Sequence, residues 1–139
     1  MKKAILILCS ISVLLSISSC SLDTAQENFQ FTVLPVVSAD FPEAFEHNGV
    51  YEIEVVLSRN SGCVFFENFD VSASALTTRE ISAIGTVFTD RPCTQAVEEI
   101  TATFSFRVDY TEPYLFRFYT GMDESDNAIY LEYEVPVNQ

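Results

Sequence analysis

From Ile100 to Val108 every second residue is apolar. Ile100, Ala102, Phe104, Phe106 and Val108 alternate with Thr101, Thr103, Ser105 and Arg107. A period of two marks an extended strand with one side against a core, because successive side chains leave a pleated strand on opposite faces. The same pattern recurs along the chain, and it restricts the fold more than any other feature. Phe29, Phe31 and Val33 alternate with Gln30 and Thr32. Tyr51, Ile53, Val55 and Leu57 share a face, with Glu52 and Glu54 opposite. A third run, from Cys63 to about Ala73, is rich in Phe and Val but unclear in phase, and a fourth spans about Glu80 to Thr89. After the Ile100–Val108 run, Tyr114, Phe116 and Phe118 share a face. In the last run Ile129, Leu131, Tyr133, Val135 and Val137 lie on one side, and Glu132 and Glu134 on the other. No segment shows three turns of helical periodicity. The connections carry turn chemistry, as in His47-Asn48-Gly49, Asn60-Ser61-Gly62, Asp90-Arg91-Pro92, Thr111-Glu112-Pro113 and Gly121 to Asn127.

Seven such strands predict an all-β domain over 29–139, a seven-stranded antiparallel immunoglobulin-like sandwich. If the strands alternate in direction, connections two–three, four–five and six–seven meet at one end. Cys63 and Cys93 both fall there, where a disulfide is geometrically feasible. Such a bridge differs from the inter-sheet disulfide of antibody domains. Contact between the second and sixth strands therefore rests on apolar packing, for instance of Val55 on Phe116. Tyr114 opens the sixth strand, where these folds place a tyrosine corner; the alternative is an ordinary core aromatic.

The first residues read as an address rather than as part of the fold. Lys2 and Lys3 precede an apolar stretch from Ala4 to Ile17, and the small residues Ser18 and Ser19 precede Cys20. Ile17-Ser18-Ser19-Cys20 resembles the lipobox of bacterial lipoproteins. That resemblance implies cleavage of the signal 1–19, acylation of Cys20 and attachment to a membrane through the lipid. The alternative is an ordinary secretory signal with Cys20 as a spare thiol. Residues 20–28 (CSLDTAQEN) read as a polar tether. Within it, Asp23-Thr24-Ala25 resembles the Asp-(Ser/Thr)-aliphatic site of Bacteroidota O-glycosylation, which implies a glycan on Thr24; a plain linker is the alternative. Taken together, the signal, the tripeptide and the terminal segment from Tyr114 to Val137 resemble the small acidic all-β lipoproteins of Bacteroidota envelopes. The resemblance implies an outer-membrane lipoprotein of the cell envelope and brings no activity with it.

Processing sharpens the charge. The whole chain carries −13, and loss of 19 of its 139 residues leaves 120. Both lysines go, so five arginines (59, 79, 91, 107 and 117) face 20 acids, a net −15. Nucleic acid is excluded as a general partner, since phosphate binding needs basic patches. Cys63 and Cys93 are the cysteines left in the body, and an oxidising compartment favours their pairing. Closing a loop of about 31 residues would stabilise by about 3–4 kcal/mol. Two free thiols or a redox pair are the alternative.

Catalytic constellations are missing from the sequence. His47, the single histidine, sits in a turn, and no G-x-S-x-G, H-E-x-x-H or Walker pattern occurs. The carboxylate pairs Glu52/Glu54 and Glu132/Glu134 alternate with core residues and so point at water. The expectation is a non-enzyme with no cofactor. Calcium is the one ion considered, because Asp123, Asp126 and Asn127 crowd one loop with oxygen donors. In an EF-hand register from Asp123, Ala128 falls where the sharp turn wants glycine, so a solvated hairpin loop competes with that reading. The second candidate is the outward side of the sixth and seventh strands, where Arg117, Tyr119 and Tyr130 gather if those strands are neighbours. Such a surface suits a sugar ring or a protein partner. The function expected is an envelope-anchored binding module for a protein or glycan. The alternative is an envelope proteinase inhibitor of immunoglobulin-like type, which would present Arg59–Gly62, Asp90–Cys93 and Gly121–Asn127. The first strand begins at the end that holds those loops, so the tether leaves there and turns the loops toward the membrane.

Overall fold

The computed structural model describes residues 28–138, so the signal, Cys20 and Thr24 lie outside the described residues. The described chain is all-β and contains no helix. Its strands are β1 (Phe29–Leu34), β2 (Val36–Asp40), β3 (Phe45–Glu46), β4 (Val50–Arg59), β5 (Val64–Ala73), β6 (Thr78–Phe88), β7 (Glu98–Arg107), β8 (Tyr114–Met122), β9 (Ala128–Val135) and β10 (Val137–Asn138). Each of the seven expected runs forms a strand. The first continues past Pro35 into β2, and Pro136 separates β10 from β9. Proline has no N–H to give to a ladder, so a strand that meets one ends or changes partner.

That change of partner at Pro35 takes the chain from one sheet to the other. Before it, β1 pairs antiparallel with β6; after it, β2 pairs antiparallel with β4. The smaller sheet is antiparallel, in the order β2-β4-β7. The larger is mixed and runs β5-β6-β8-β9, with β1 also on β6. β6 has 11 residues, and its length explains the arrangement. On one edge it pairs with β5, from Arg79 to Val87. Its other edge is shared: β1 covers Ala83 to Phe88, and β8 covers Thr78 to Ile81.

This topology departs from the purely antiparallel arrangement expected from the alternation. β6 and β8 are parallel, as are β3 and β10. The strand between β6 and β8 in sequence is β7, which lies in the other sheet, so β8 returns in the direction of β6 and can only pair with it in parallel. An immunoglobulin constant domain groups its third, sixth and seventh strands in one sheet and puts the fourth in the other. Here the fourth long strand, β6, stands between the third and the sixth.

One core lies between the sheets. Ile53, Val55, Leu57 and Phe106 come from the smaller sheet; Ile81, Ala83, Tyr114, Phe116 and Phe118 come from the larger. Val55 and Phe116 are both fully buried in it. Aromatic rings bridge the layers, with Phe106 to Phe116 centroids 5.0 Å apart and Phe69 to Phe104 5.3 Å apart. The Tyr114 hydroxyl accepts the backbone N–H groups of Asp109 and Tyr110, both at 3.1 Å. That is the tyrosine-corner geometry. Tyr133 ties the sheets in the same way, its hydroxyl accepting the Ala39 N–H at 3.0 Å.

Two strands differ from their apparent pattern. In β1 the phenylalanines face outward, and Phe31 is 72% exposed while Leu34 is buried. Leu34 and Val36 flank Pro35, and both are in the core, which fixes the phase and sends Phe29, Phe31 and Val33 to the other side. In β5 the register against β6 slips between Phe66 and Asn68, which leaves Glu67 as a bulge. Phe65 therefore points outward, while Phe66 and Phe69 both reach the core. The bulge is why that run showed no clear phase.

Candidate functional site

The outward side of β6, β8 and β9 holds a built cluster around Arg117. Strand register assembles it. Arg117 lies opposite Glu132 in the antiparallel β8–β9 ladder and opposite Glu80 in the parallel β6–β8 ladder, and Tyr119 lies opposite Tyr130. The side chains then complete it. The Arg117 Nε donates to Glu132 Oε1 at 2.8 Å, and its Nη1 donates to Glu80 Oε1 at 2.6 Å. The guanidinium stacks over the Tyr130 ring at 4.2 Å, and Tyr119 meets Tyr130 edge-on at 6.2 Å. The hydrogen bond that Arg117 donates to Glu132 raises the guanidinium pKa above its usual value, with the charges of both carboxylates adding to it.

The structure thus brings together the Arg117, Tyr119 and Tyr130 expected from sequence and adds Glu80. Glu80 escaped the sequence reading because β6 and β8 are not consecutive strands, and no local pattern announces a parallel pairing between them. One guanidinium faces two carboxylates, so the cluster is acidic on balance. Its side chains are held in place yet partly open, with Arg117 and Glu80 each 31% exposed and Glu132 50%. Such a surface offers aromatic edges, a fixed cation and carboxylate acceptors in one patch, which suits hydroxyl-rich or cationic ligands better than anions.

The acidic loop between β8 and β9 is organised differently. Asp123 Oδ1 accepts the N–H groups of Ser125 at 2.8 Å and Asn127 at 2.9 Å, and the Asn127 side-chain amide reaches Asp123 Oδ2 at 3.1 Å. These bonds, those from Asn127 first, hold the Asp123 carboxyl below its usual pKa. Asp126 takes a left-handed conformation, φ 61°, in the turn. Asp123 is thus committed to its own loop, and turn formation accounts for the Asp and Asn content. Among the described residues no group of three or more His, Cys, Asp or Glu side chains converges for a metal ion.

At the end where β5 begins and β6 finishes, Cys63 and Cys93 stand at disulfide distance, their Cα atoms 5.4 Å apart. The Thr94 carbonyl accepts the Gly62 N–H at 3.1 Å beside them. Arg59 pairs with Glu98 across the β4–β7 ladder, so it is not free on a protruding loop. Asn28 lies at this same end, its carbonyl accepting the Thr89 N–H at 2.9 Å. β1 therefore starts at the disulfide end, as the alternation of strands implied. His47 is exposed in its turn, beside Asn48. Glu52 and Glu54 are exposed on β4.

No family model, no curated protein and no solved structure matches this chain.

Proposed function

We propose that the chain is an outer-membrane lipoprotein of a bacterial envelope, acylated on Cys20, that acts without catalysis as a binding module for a glycan or protein. The cluster of Arg117, Glu80, Glu132, Tyr119 and Tyr130 is its recognition surface. One observation carries this reading: Arg117 is fixed from two strands and stacked on Tyr130, so the polar and aromatic groups are ordered before any ligand arrives. Preorganised side chains lose little freedom on binding. The sandwich is read as an immunoglobulin-like variant on the strength of its tyrosine corner and the strand that changes sheets at Pro35.

The test is binding of the mature protein to an array of neutral, anionic and cationic glycans and to solubilised envelope proteins. Wild type is compared with Tyr119→Ala, Tyr130→Ala and Arg117→Ala. The proposal expects a neutral or cationic ligand whose capture drops about tenfold or more in each variant, the scale of a desolvated anchor residue. A ligand captured equally by all three variants would move the recognition surface elsewhere. Mass spectrometry of the envelope-purified protein reads Cys20 acylation separately.

A further inference from the structure

The same outer sheet face carries a second, unlike region nearer the tether. Phe31 of β1 and Phe65 of β5 stand on either side of Thr86 of β6, each directly opposite it in its ladder. They cover Thr86, which points outward yet is 6% exposed. Phe29 lies opposite Phe88 in the β1–β6 ladder. The rings touch one another, with centroids 5.6 Å apart for Phe29–Phe31, 6.4 Å for Phe29–Phe88 and 5.7 Å for Phe65–Phe88. Phe31 is 72% exposed and Phe65 43%. Arg91 stacks over the Phe88 ring at 4.4 Å, and its charge is matched by Asp90 at 3.1 Å. Four phenylalanines therefore form one outward, largely apolar patch, with a shallow hollow lined by Phe29, Phe31, Thr86 and Phe88 and bordered by the exposed Glu67. An exposed cluster of this kind marks a contact surface.

Its position in the chain selects the occupant. Phe29 follows Asn28, where the tether joins the fold, and both sit at the end from which the tether leaves. From Cys20 to Asn28 is at most about 30 Å even when fully extended. The tether itself is polar and acidic (CSLDTAQEN), so it is not a natural cover for four phenyl rings. A lipid on Cys20 would hold the patch within that reach of a bilayer. Apolar rings bury at the headgroup boundary of a bilayer, and a lipid on Cys20 alone leaves the orientation of the domain unfixed.

We infer that Phe29, Phe31, Phe65 and Phe88 form a lipid-contacting patch that seats the folded domain on the membrane surface, acting with the acyl chain. This inference rests on the proposed acylation of Cys20 for its location, but the patch can be read independently. Contact is through the rings: Arg91 is balanced by Asp90, and the remaining charge at the patch, Glu67, is acidic like the mature chain, so no attraction to anionic lipid contributes. It therefore works on zwitterionic lipid and depends little on salt.

The test uses the envelope-purified full-length product in phosphatidylcholine vesicles that contain brominated lipid. The chain has no tryptophan, so Phe31→Trp places one reporter in the patch, and Leu76→Trp places another in the exposed β5–β6 turn at the far end. The expected result is strong quenching and a blue shift for Trp at position 31, little of either at position 76, and no change between low and high salt. The double variant Phe31→Ser/Phe65→Ser should fold normally and, compared with its parent when both carry Cys20→Ser and hence no lipid, partition to vesicles at least about tenfold less, a loss that one apolar side chain already accounts for. Equal, weak quenching at the two positions would overturn the inference, as would unchanged partitioning of the double variant. A patch shielded from lipid by concentration-dependent dimers would overturn it as well. If Cys20 proves unacylated while Trp at position 31 is still quenched, the anchor reading fails and the lipid patch stands.

Discussion

Two regions share the outer face of the larger sheet and are built on opposite physics. Around Thr86 the phenylalanines meet one another, with Arg91 over Phe88 and Glu67 at the edge of the hollow. Around Arg117 each group is fixed by a partner on another strand, through ion pairs and ring stacking. Glu80 and Thr86 both point outward from β6, six residues or about 20 Å apart along one strand. The apolar region lies at the end where the tether joins, and the polar region lies further from it. The comparison teaches that one strand can serve two contacts when its edge is divided. β1 brings phenylalanines to one half of β6, and β8 brings Arg117 to the other.

The sharpest way to break this comparison is to ask which layer holds the fold. Phe116 is completely buried one residue from Arg117, so Phe116→Ala should lower stability by about 3–5 kcal/mol in urea unfolding. Phe31→Ser, in the exposed patch, should leave the urea midpoint nearly unchanged. If Phe31→Ser were as damaging as Phe116→Ala, the patch would be core rather than contact surface.

A smaller effect is expected beneath the patch. A Cβ at Gly85 would collide with the Leu34 side chain and come within 2.7 Å of the Phe65 carbonyl. Gly85→Ala should cost about 1–3 kcal/mol, as overpacking does. It should also disturb β1 more than β8, which amide exchange in Phe31 and Phe118 would distinguish.

The smallest effect concerns the hairpin loop that joins β8 to β9. The folded-state pKa of Asp123 is lowered, so its contribution is present above the usual aspartate pKa and is lost as pH falls through the lowered value. The amide resonances of Ser125 and Asn127 should therefore shift together in acid, below the ordinary aspartate range. Asp123→Asn should abolish that shared titration without changing the Arg117 cluster.

Much of the fold was legible because the core obeys alternation. Ile53, Val55 and Leu57, and likewise Tyr114, Phe116 and Phe118, are buried where the period-two pattern puts them. Cys63 and Cys93 stand at disulfide distance at the end where strand alternation put them both. The pattern misled where local apolarity and burial part company. In β1 it marks the outer face, because Leu34 and Val36 around Pro35 set the phase and three outward apolar residues cannot. In β5 a single bulged residue hid the phase. The candidate site was legible as far as neighbouring strands reach, which is why Arg117, Tyr119 and Tyr130 were found. Glu80 was out of reach because its pairing depends on β7 crossing to the other sheet. The crowded acids of the β8–β9 loop suggested a cation, whereas Asp123 serves the turn's own amides.

In the proposed arrangement the domain sits with its tether end on the membrane and its Arg117 region turned to solution. It is tested most directly by maleimide labelling of the anchored protein at Asp126→Cys, in the loop near the tether end, and at Glu132→Cys, on the outer sheet face. Faster labelling is expected at position 132 on membranes, with detergent release speeding labelling at position 126 more than at position 132. Faster labelling at position 126 on intact membranes would contradict it.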